Sequence, residues 1–462
     1  LILNIIKTKE KLVSQSNKKK KLIEVINFSN KAFSIKSFAF NFNNQVNKEF
    51  ENLYSLLNIE DSITKLFNEE KVNVTEDKAA LHWKIRDPNS DLNKDLFVKS
   101  DAMKKRLLKG PVKNIITLGI GGSYEGPNLL SKALNDLNNL KFNHIFITGS
   151  DNQEFKEKLI GLNQKETVFI LSSKSMKSLE IINNYKLAKK WLSLKMKSSE
   201  AKENFYGITS NVQEAKKLGI LEKNIINLEE EIGGRYSIWS EVSLTSILES
   251  KKNFASFLDG GHQADLLMKS ENSYKRSIKK LAYIELWNSN FLNVDNRVIL
   301  SYLWKIRTLP KYLQQLEMES LGKKANLKSI FSKTSQTIYG DFGPRAQHSF
   351  FQMLHQGTSK TSIDFIIDKD VSESNKLPKI QALTQNKLFN FPLKKTLNQN
   401  YKINGNVSSN LYMLKKLTPY NLGFLISSWE HKTFISSQLL EINPFDQFGV
   451  EEGKNRISKK FS

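Results

Sequence analysis

At 462 residues the chain is too long for one ordinary hydrophobic core, so two or three domains are expected. Hydrophobic residues at 39% and charged residues at 25% describe packed globular material rather than general disorder, and the absence of cysteine excludes disulfides, thiolate metal sites and cysteine nucleophiles. A net charge of +23 raises a nucleic-acid or anionic-membrane partner, but apart from a lysine run at 18–21 the basic residues are scattered, whereas a nucleic-acid site concentrates its charge.

The amino terminus, LILNIIKTKEKL, has a short apolar run broken by Lys7, without a basic leader or a small-residue cleavage site, so it does not read as a signal peptide. No stretch reaches the roughly 18 to 20 apolar residues of a membrane helix, and a cytoplasmic location without membrane association is expected. Residues 1–105 read as mainly helical, with charges interleaved between Leu, Ile and Phe. From Val112 the pattern changes. The segments VKNIITLGI, HIFITGS (144–150), TVFILSSKS (167–175) and YGITSN (206–211) are short β-branched runs separated by helical spacing. A second alternating region follows, with RVILSYLW, YLQQLEMES as a helix, QTIYGD, SFFQMLHQG and SIDFIIDKD. Strands alternating with helices predict doubly wound parallel sheets covered on both faces. The expected divisions are 1–105, 106–245, 246–440 and a short helical segment at 441–462. The polar stretch 370–410 reads as a surface excursion, the chain as helical from about Leu411, and NPFDQFGVEEGK as a loop.

Several segments carry chemistry-bearing residues. ILSSKSMKSLE joins a strand to a helix through Ser172, Ser173, Lys174, Ser175, Lys177 and Ser178. Hydroxyls, backbone N–H groups, a helix amino end and lysine together make an anion cradle, where a single serine would be a simple N-cap. GIGGSYEG does not match the dinucleotide fingerprint and reads as a tight turn. Arg235 follows two glycines in EIGGRYSIWS and is equally a surface residue or an oxyanion ligand. His348 and His355 stand seven apart in AQHSFFQMLHQGT, each a structural histidine by default, and Lys454 near the chain end is a solvated lysine by default. The six histidines show no H-x-x-x-H or HExxH spacing, so no metal is expected. In YLQQLEMES, Pro310 suits a first turn and Gly322 a helix end; Tyr312, Leu316 and Glu319 share a face, and Gln315 lies one turn from Glu319.

GIGGS, SSKSMKSLE, GGRYSIWS, YLQQLEMESLGK, AQHSFFQMLHQGT, LTPYNLGFLISSWEHKTF and INPFDQFGVEEGK, in that order, resemble the glucose-6-phosphate isomerase (phosphoglucose isomerase) family, and VNVTEDKAALHWKIRD (72–87) resembles its amino-terminal segment. The resemblance spans roughly residues 70 to 455. It implies two doubly wound sugar-isomerase domains with added helices and a homodimer. The implied reaction interconverts glucose 6-phosphate and fructose 6-phosphate without metal or cofactor. Glu319 matches the family's catalytic base and Gln315 a substrate contact. His348 resembles the ring-opening histidine, Lys454 the lysine near the ring oxygen, and Glu180 the acid that orients the histidine. Arg235 resembles the residue that stabilises the enediolate. Ser173, Lys174, Ser175 and Ser178 resemble the phosphate loop; Gly122, Ser123 and Gln447 match further sugar-phosphate contacts. A carboxylate on the apolar face of YLQQLEMES would lose hydration, which favours proton transfer near neutrality. The sequence departs from the family in three places. Gly340-Asp341-Phe342-Gly343-Pro344-Arg345-Ala346-Gln347-His348 replaces GEPGTNGQH, SKSMKSLEI replaces SKTFTTQET, and EMESLGK replaces DMESNGK. A bifunctional isomerase acting also on mannose 6-phosphate, and a sugar-phosphate-binding regulator without chemistry, are the neighbouring readings. The latter would not need to retain Glu319, His348, Arg235 and Lys454.

Overall fold

The computed structural model describes residues 2–19, 21–392, 398–405 and 407–461. Lys20 of the lysine run, and 393–397 and 406 of the expected surface excursion, lie outside the described residues. Among these residues the strands are β1 (Leu22–Ser29), β2 (Phe33–Phe40), β3 (Asn114–Gly119), β4 (Asn143–Ile147), β5 (Thr167–Ser172), β6 (Phe205–Thr209), β7 (Ile225–Asn227), β8 (Asn296–Ser301), β9 (Thr337–Phe342), β10 (Thr361–Asp368) and β11 (Ser409–Leu414). The chain folds as two compact units, one of residues 1–79 with 260–449 and one of residues 80–259 with 450–462.

In the second of these units the sheet order is β4-β3-β5-β6-β7, with every pairing parallel. The alternation of side chains explains the continuous apolar runs. Ile115, Val168, Ile170 and Ile208 face one core cluster, with Val242 and Leu248. Ile116, Leu118, Phe169 and Leu171 face the other, with Tyr185, Leu192 and Phe205. Both faces are covered, so apolar residues run consecutively along the strands instead of alternating with polar ones. Each buried Ile, Leu or Phe contributes about 1.5–3 kcal/mol. The chain runs outward from β3 to β4 and then returns past β3 to β5. The loops after β3 and β5 therefore part at a topological switch point, the place where α/β sheets take ligands.

The sheet of the other unit, ordered β1-β2-β11-β10-β8-β9, is mixed. β11, β10, β8 and β9 are parallel, as the alternating pattern requires. β1 and β2 form an antiparallel hairpin that continues onto β11. This hairpin lies in the stretch whose spacing reads as helical. Its alternation is short: Ile26 and Phe28 are the buried pair of β1, and a register shift falls between Glu24 and Ile26. The turn is built by Asn30, whose side-chain oxygen accepts from the backbone N–H of Ala32 and of Phe33 at 2.8 and 2.9 Å. Leu411 belongs to β11 rather than to a helix, and the helix opens at Pro419, capped by the Thr418 hydroxyl, which accepts from the Asn421 N–H at 3.1 Å. That helix, Pro419–Leu439, is buried along almost its whole length. Its polar residues are accordingly paired: His431 Nε2 lies 2.9 Å from Asp265 Oδ1, and Lys432 reaches Glu285 and Glu317, both at 2.8 Å. No helix among the described residues is long and apolar enough to cross a membrane.

Candidate active site

The segments expected to hold an anion lie at the carboxyl edge of the all-parallel sheet. After β3 the chain makes a short 3-10 turn, Gly121–Ser123, with Gly121 in the left-handed region at φ 58°. Gly122 is fixed by a close approach, since a Cβ there would lie 2.0 Å from the carbonyl oxygen of Gly234. Gly122 and Ser123 are thereby brought against the turn that carries Arg235. That turn, Gly234–Trp239, is a 3-10 segment in which three carbonyls accept from serine hydroxyls. Ser237 donates to Gly234 O at 2.6 Å, Ser240 to Ser237 O at 2.8 Å, and Ser243 to Ile238 O at 2.7 Å. Arg235 is 2% exposed and its guanidinium lies 5.9 Å from the Tyr236 ring, which His82 covers at 4.7 Å. Arg86 lies 4.5 Å from the Trp239 ring. The LHWKIRD segment thus buttresses the arginine turn. Arg235 is a buried residue, so the surface alternative falls.

After β5 the loop 173–178 is shaped by the carbonyl of Lys174. It accepts from Thr209 Oγ1 at 2.9 Å, Ser210 Oγ at 3.0 Å and the Ser210 N–H at 3.2 Å. Ser173 Oγ accepts from the Met176 N–H at 3.1 Å and lies 3.4 Å from Ser178 Oγ. Met176 is buried at φ 55°, an uncommon conformation for a residue with a long side chain. Ser178 occupies the cap position of the helix Leu179–Ser193 without a side-chain capping bond, so its hydroxyl is turned to Ser173 instead. Ser175 is exposed and its oxygen accepts from the Lys177 N–H at 3.2 Å; Lys174 Nζ lies 3.4 Å from Ile232 O. Glu180 stands half-buried on the first turn of the same helix. Lys454 lies on an exposed helix, Glu451–Phe461, rather than in a loop.

The other unit carries the remaining residues. The helix Leu309–Leu321 has Pro310 in its first turn and ends at Gly322, whose N–H donates to Met318 O at 2.9 Å. Its buried stripe is Tyr312, Leu313, Leu316, Glu317 and Ser320. Glu319 flanks this stripe and is half-buried, with Gln315 Nε2 donating to its Oε1 at 3.3 Å. The carboxylate on the apolar face is Glu317, not Glu319: the stripe is wide, and Glu319 falls at its margin. Glu317 accepts from Trp429 Nε1 at 2.6 Å, from Lys432 Nζ at 2.8 Å, and from Arg297. Sequence reasoning missed this network, whose only local signal was the glutamate at position 317. His348 is exposed in a turn between the short helices Gly343–Ala346 and Phe351–Gln356, its N–H donating to Arg345 O at 3.0 Å. The divergent turn before it is stapled by Arg345 Nε, which donates to Asp341 Oδ2 at 2.9 Å. His355 is a packing residue, stacked on Phe389 at 4.2 Å with Gln385 Oε1 2.9 Å from its Nε2. Gln447 is exposed beside Asp446, a residue held by the Thr75 hydroxyl at 2.8 Å and by Lys323. Among the described residues no three His, Asp or Glu side chains converge to hold a metal ion.

Loops rich in hydroxyls and backbone amides stand at the switch point of a doubly wound sheet, with a buried arginine beside them, in an α/β protein with parallel strands. The chain belongs to the phosphoglucose isomerase family, whose profile matches residues 38–461. It is 34% identical over 443 residues to the glucose-6-phosphate isomerase of Shewanella putrefaciens, covering 86% of this chain and 81% of that protein. It is 32% identical over 438 residues to that of Hydrogenovibrio crunogenus, covering 85% and 80%. The crystal structure of a glucose-6-phosphate isomerase from Chlamydia trachomatis has the same fold, with a TM-score of 0.84 at 21% identity over 99% of this chain and 95% of that one.

Proposed function

We infer that this chain catalyses the reversible isomerisation of glucose 6-phosphate and fructose 6-phosphate. The observation that carries the reading is the family relation, in which relatives of that name align over about four-fifths of their own length. The loop 173–178 and the turn 121–123 take the phosphate and sugar hydroxyls, with Gln447 as a further contact. His348, oriented by Glu180, and Lys454 open the sugar ring. Glu319 then moves a proton between C1 and C2 through a cis-enediolate, and Arg235 stabilises its negative charge. An arginine fixed in a buried turn suits that task, because a permanent charge already in place needs little reorganisation as the intermediate forms. Gln315 orients the Glu319 carboxylate and reaches the substrate. The working form is a cytoplasmic homodimer in which His348 serves the neighbouring subunit, a reading supported by its exposed turn.

The test is a coupled assay of fructose 6-phosphate conversion. The wild-type chain converts it, and Glu319→Gln lowers turnover by about 10² to 10⁴ while sugar-phosphate binding is largely retained. An inactive wild-type protein sinks the reaction, and near-normal turnover in a folded Glu319→Gln variant sinks the base.

A further inference from the structure

Glu319 stands in the last turn of its helix, two residues before Leu321, where α-helices fray. A base that must reach two carbons of a sugar needs that turn held still. Two residues back, Glu317 points the opposite way, about 200° around the axis, and is fully buried. Its carboxylate collects three donors from two other elements: Arg297 on β8, and Trp429 Nε1 at 2.6 Å and Lys432 Nζ at 2.8 Å on the helix Pro419–Leu439. The same two cations are shared. Glu285, on the helix Ser273–Phe291, lies 2.8 Å from Lys432 Nζ and 3.3 Å from an Arg297 nitrogen. Asp364 on β10 lies 3.5 Å from Arg297 Nε and accepts from Asn410 Nδ2 on β11 at 2.7 Å. The helix Leu309–Leu321 is thus tied through one carboxylate to β8 and the helix Pro419–Leu439 and, through the shared cations, to the helix Ser273–Phe291 and β10.

From this geometry we propose that Glu317 is a positioning residue for the isomerisation, setting the rotation and height of the last helical turn and so the placement of the Glu319 carboxylate; the proposal rests on the reading of Glu319 as the base. Buried ion clusters are poor stabilisers compared with apolar packing of the same volume. What they supply is direction: two oxygens with three fixed donors tolerate one orientation of the helix, where a leucine would tolerate several. Displacement of a reacting group by about 1 Å costs on the order of 10²-fold in rate. The Gln315 contact to Glu319, at 3.3 Å, comes from the same helix and moves with it, so it cannot set the helix position.

The experiment compares wild type, Glu319→Gln, Glu317→Gln and Lys432→Met in the isomerase assay, with inorganic phosphate as a competitive probe of binding. Glu317→Gln keeps shape and loses the charge that aligns the donors; Lys432→Met removes one donor and is read in its place if the first variant does not fold. The expected result is a fall in kcat of about tenfold to a hundredfold with KM and the phosphate inhibition constant within about threefold of wild type, measured well below the thermal midpoint of each variant. Wild-type kcat in a folded variant of lower thermal stability overturns the proposal, because a merely structural role shifts melting and leaves turnover per folded molecule intact. Failure of the underlying reading looks different: an inactive wild type, or a Glu319→Gln variant that keeps its turnover.

Discussion

Two buried glutamates take opposite fates, and the difference is in their partners. Burial opposes ionisation of Glu317, but the charges of Arg297 and Lys432, each also donating a hydrogen bond, overcome it and hold its pKa at about 2. Glu241, six residues beyond Arg235, is also buried, and its cation partner, Lys99, stands off at 3.9 Å, with Asp95 and Glu229 also near. Burial wins there and pushes the carboxyl up to about 7. An unfolded glutamate titrates near about 4.3. Between that pH and about 7 the folded chain therefore holds one more proton than the unfolded chain, and stability falls as pH rises through this window, by about 3 kcal/mol in all. Replacing Glu241 with Gln removes this loss. Denaturant titrations at pH 5 and pH 7.5 are expected to show the wild type losing about 2.5 kcal/mol more than the variant across that interval; equal losses would mean that Glu241 is ionised in the fold. Neither glutamate was legible as such in the sequence. Glu319 could be singled out as a candidate because its neighbours along the chain form a motif, whereas Glu317 acquires meaning from partners 20 and 115 residues away.

At the scale of elements, the loop 173–178 was legible as a composition, and its shape was not. Serines and lysines between a strand and a helix announce an anion site. Nothing local announces that Lys174 O is pinned by Thr209 and Ser210 from the end of β6, or that Met176 turns left-handed, a conformation usually left to Gly or Asn. The same limit explains the β1–β2 hairpin: its pairing depends on β11, which is remote in sequence. Four of the five strands of the other sheet, β3 to β6, were read from their apolar runs, and in the central three burial on both faces leaves that mark along the strand. The loop's geometry also refines its test. Ser178 is released from capping and Ser173 is set beside it, so these two hydroxyls, rather than the exposed Ser175, are the donors to remove. Ser173→Ala with Ser178→Ala is expected to weaken glucose 6-phosphate and free phosphate alike, by about tenfold or more, since hydrogen bonds to a charged group contribute about 1.5–3 kcal/mol each. Calorimetric titration with both ligands checks it. Loss for the sugar alone would assign these hydroxyls to the sugar, and unchanged affinities would place the cradle elsewhere.

At the scale of the whole molecule the question is whether one chain suffices. His348 stands exposed on a turn that Asp341 and Arg345 staple shut, while Glu319 is half-buried on a helix tied into the core. If His348 opens the sugar ring as proposed, its exposure suits action on a second copy of the chain. In a symmetric dimer each site then combines Glu319 of one subunit with His348 of the other. Mixing Glu319→Gln with His348→Ala after dissociation and reassembly tests this directly. Across an interface, a hybrid dimer has one site with both lesions and one site intact. Random mixing makes hybrids about half of the dimers, so roughly a quarter of full activity is expected to return. If His348 serves its own chain, each hybrid site carries one lesion and nothing is regained. Both parents must first be shown to be folded dimers that exchange subunits, by sedimentation and by exchange of labelled chains. Given exchange, a mixture as inactive as its parents confines His348 to its own subunit, and the dimer then has two separate sites.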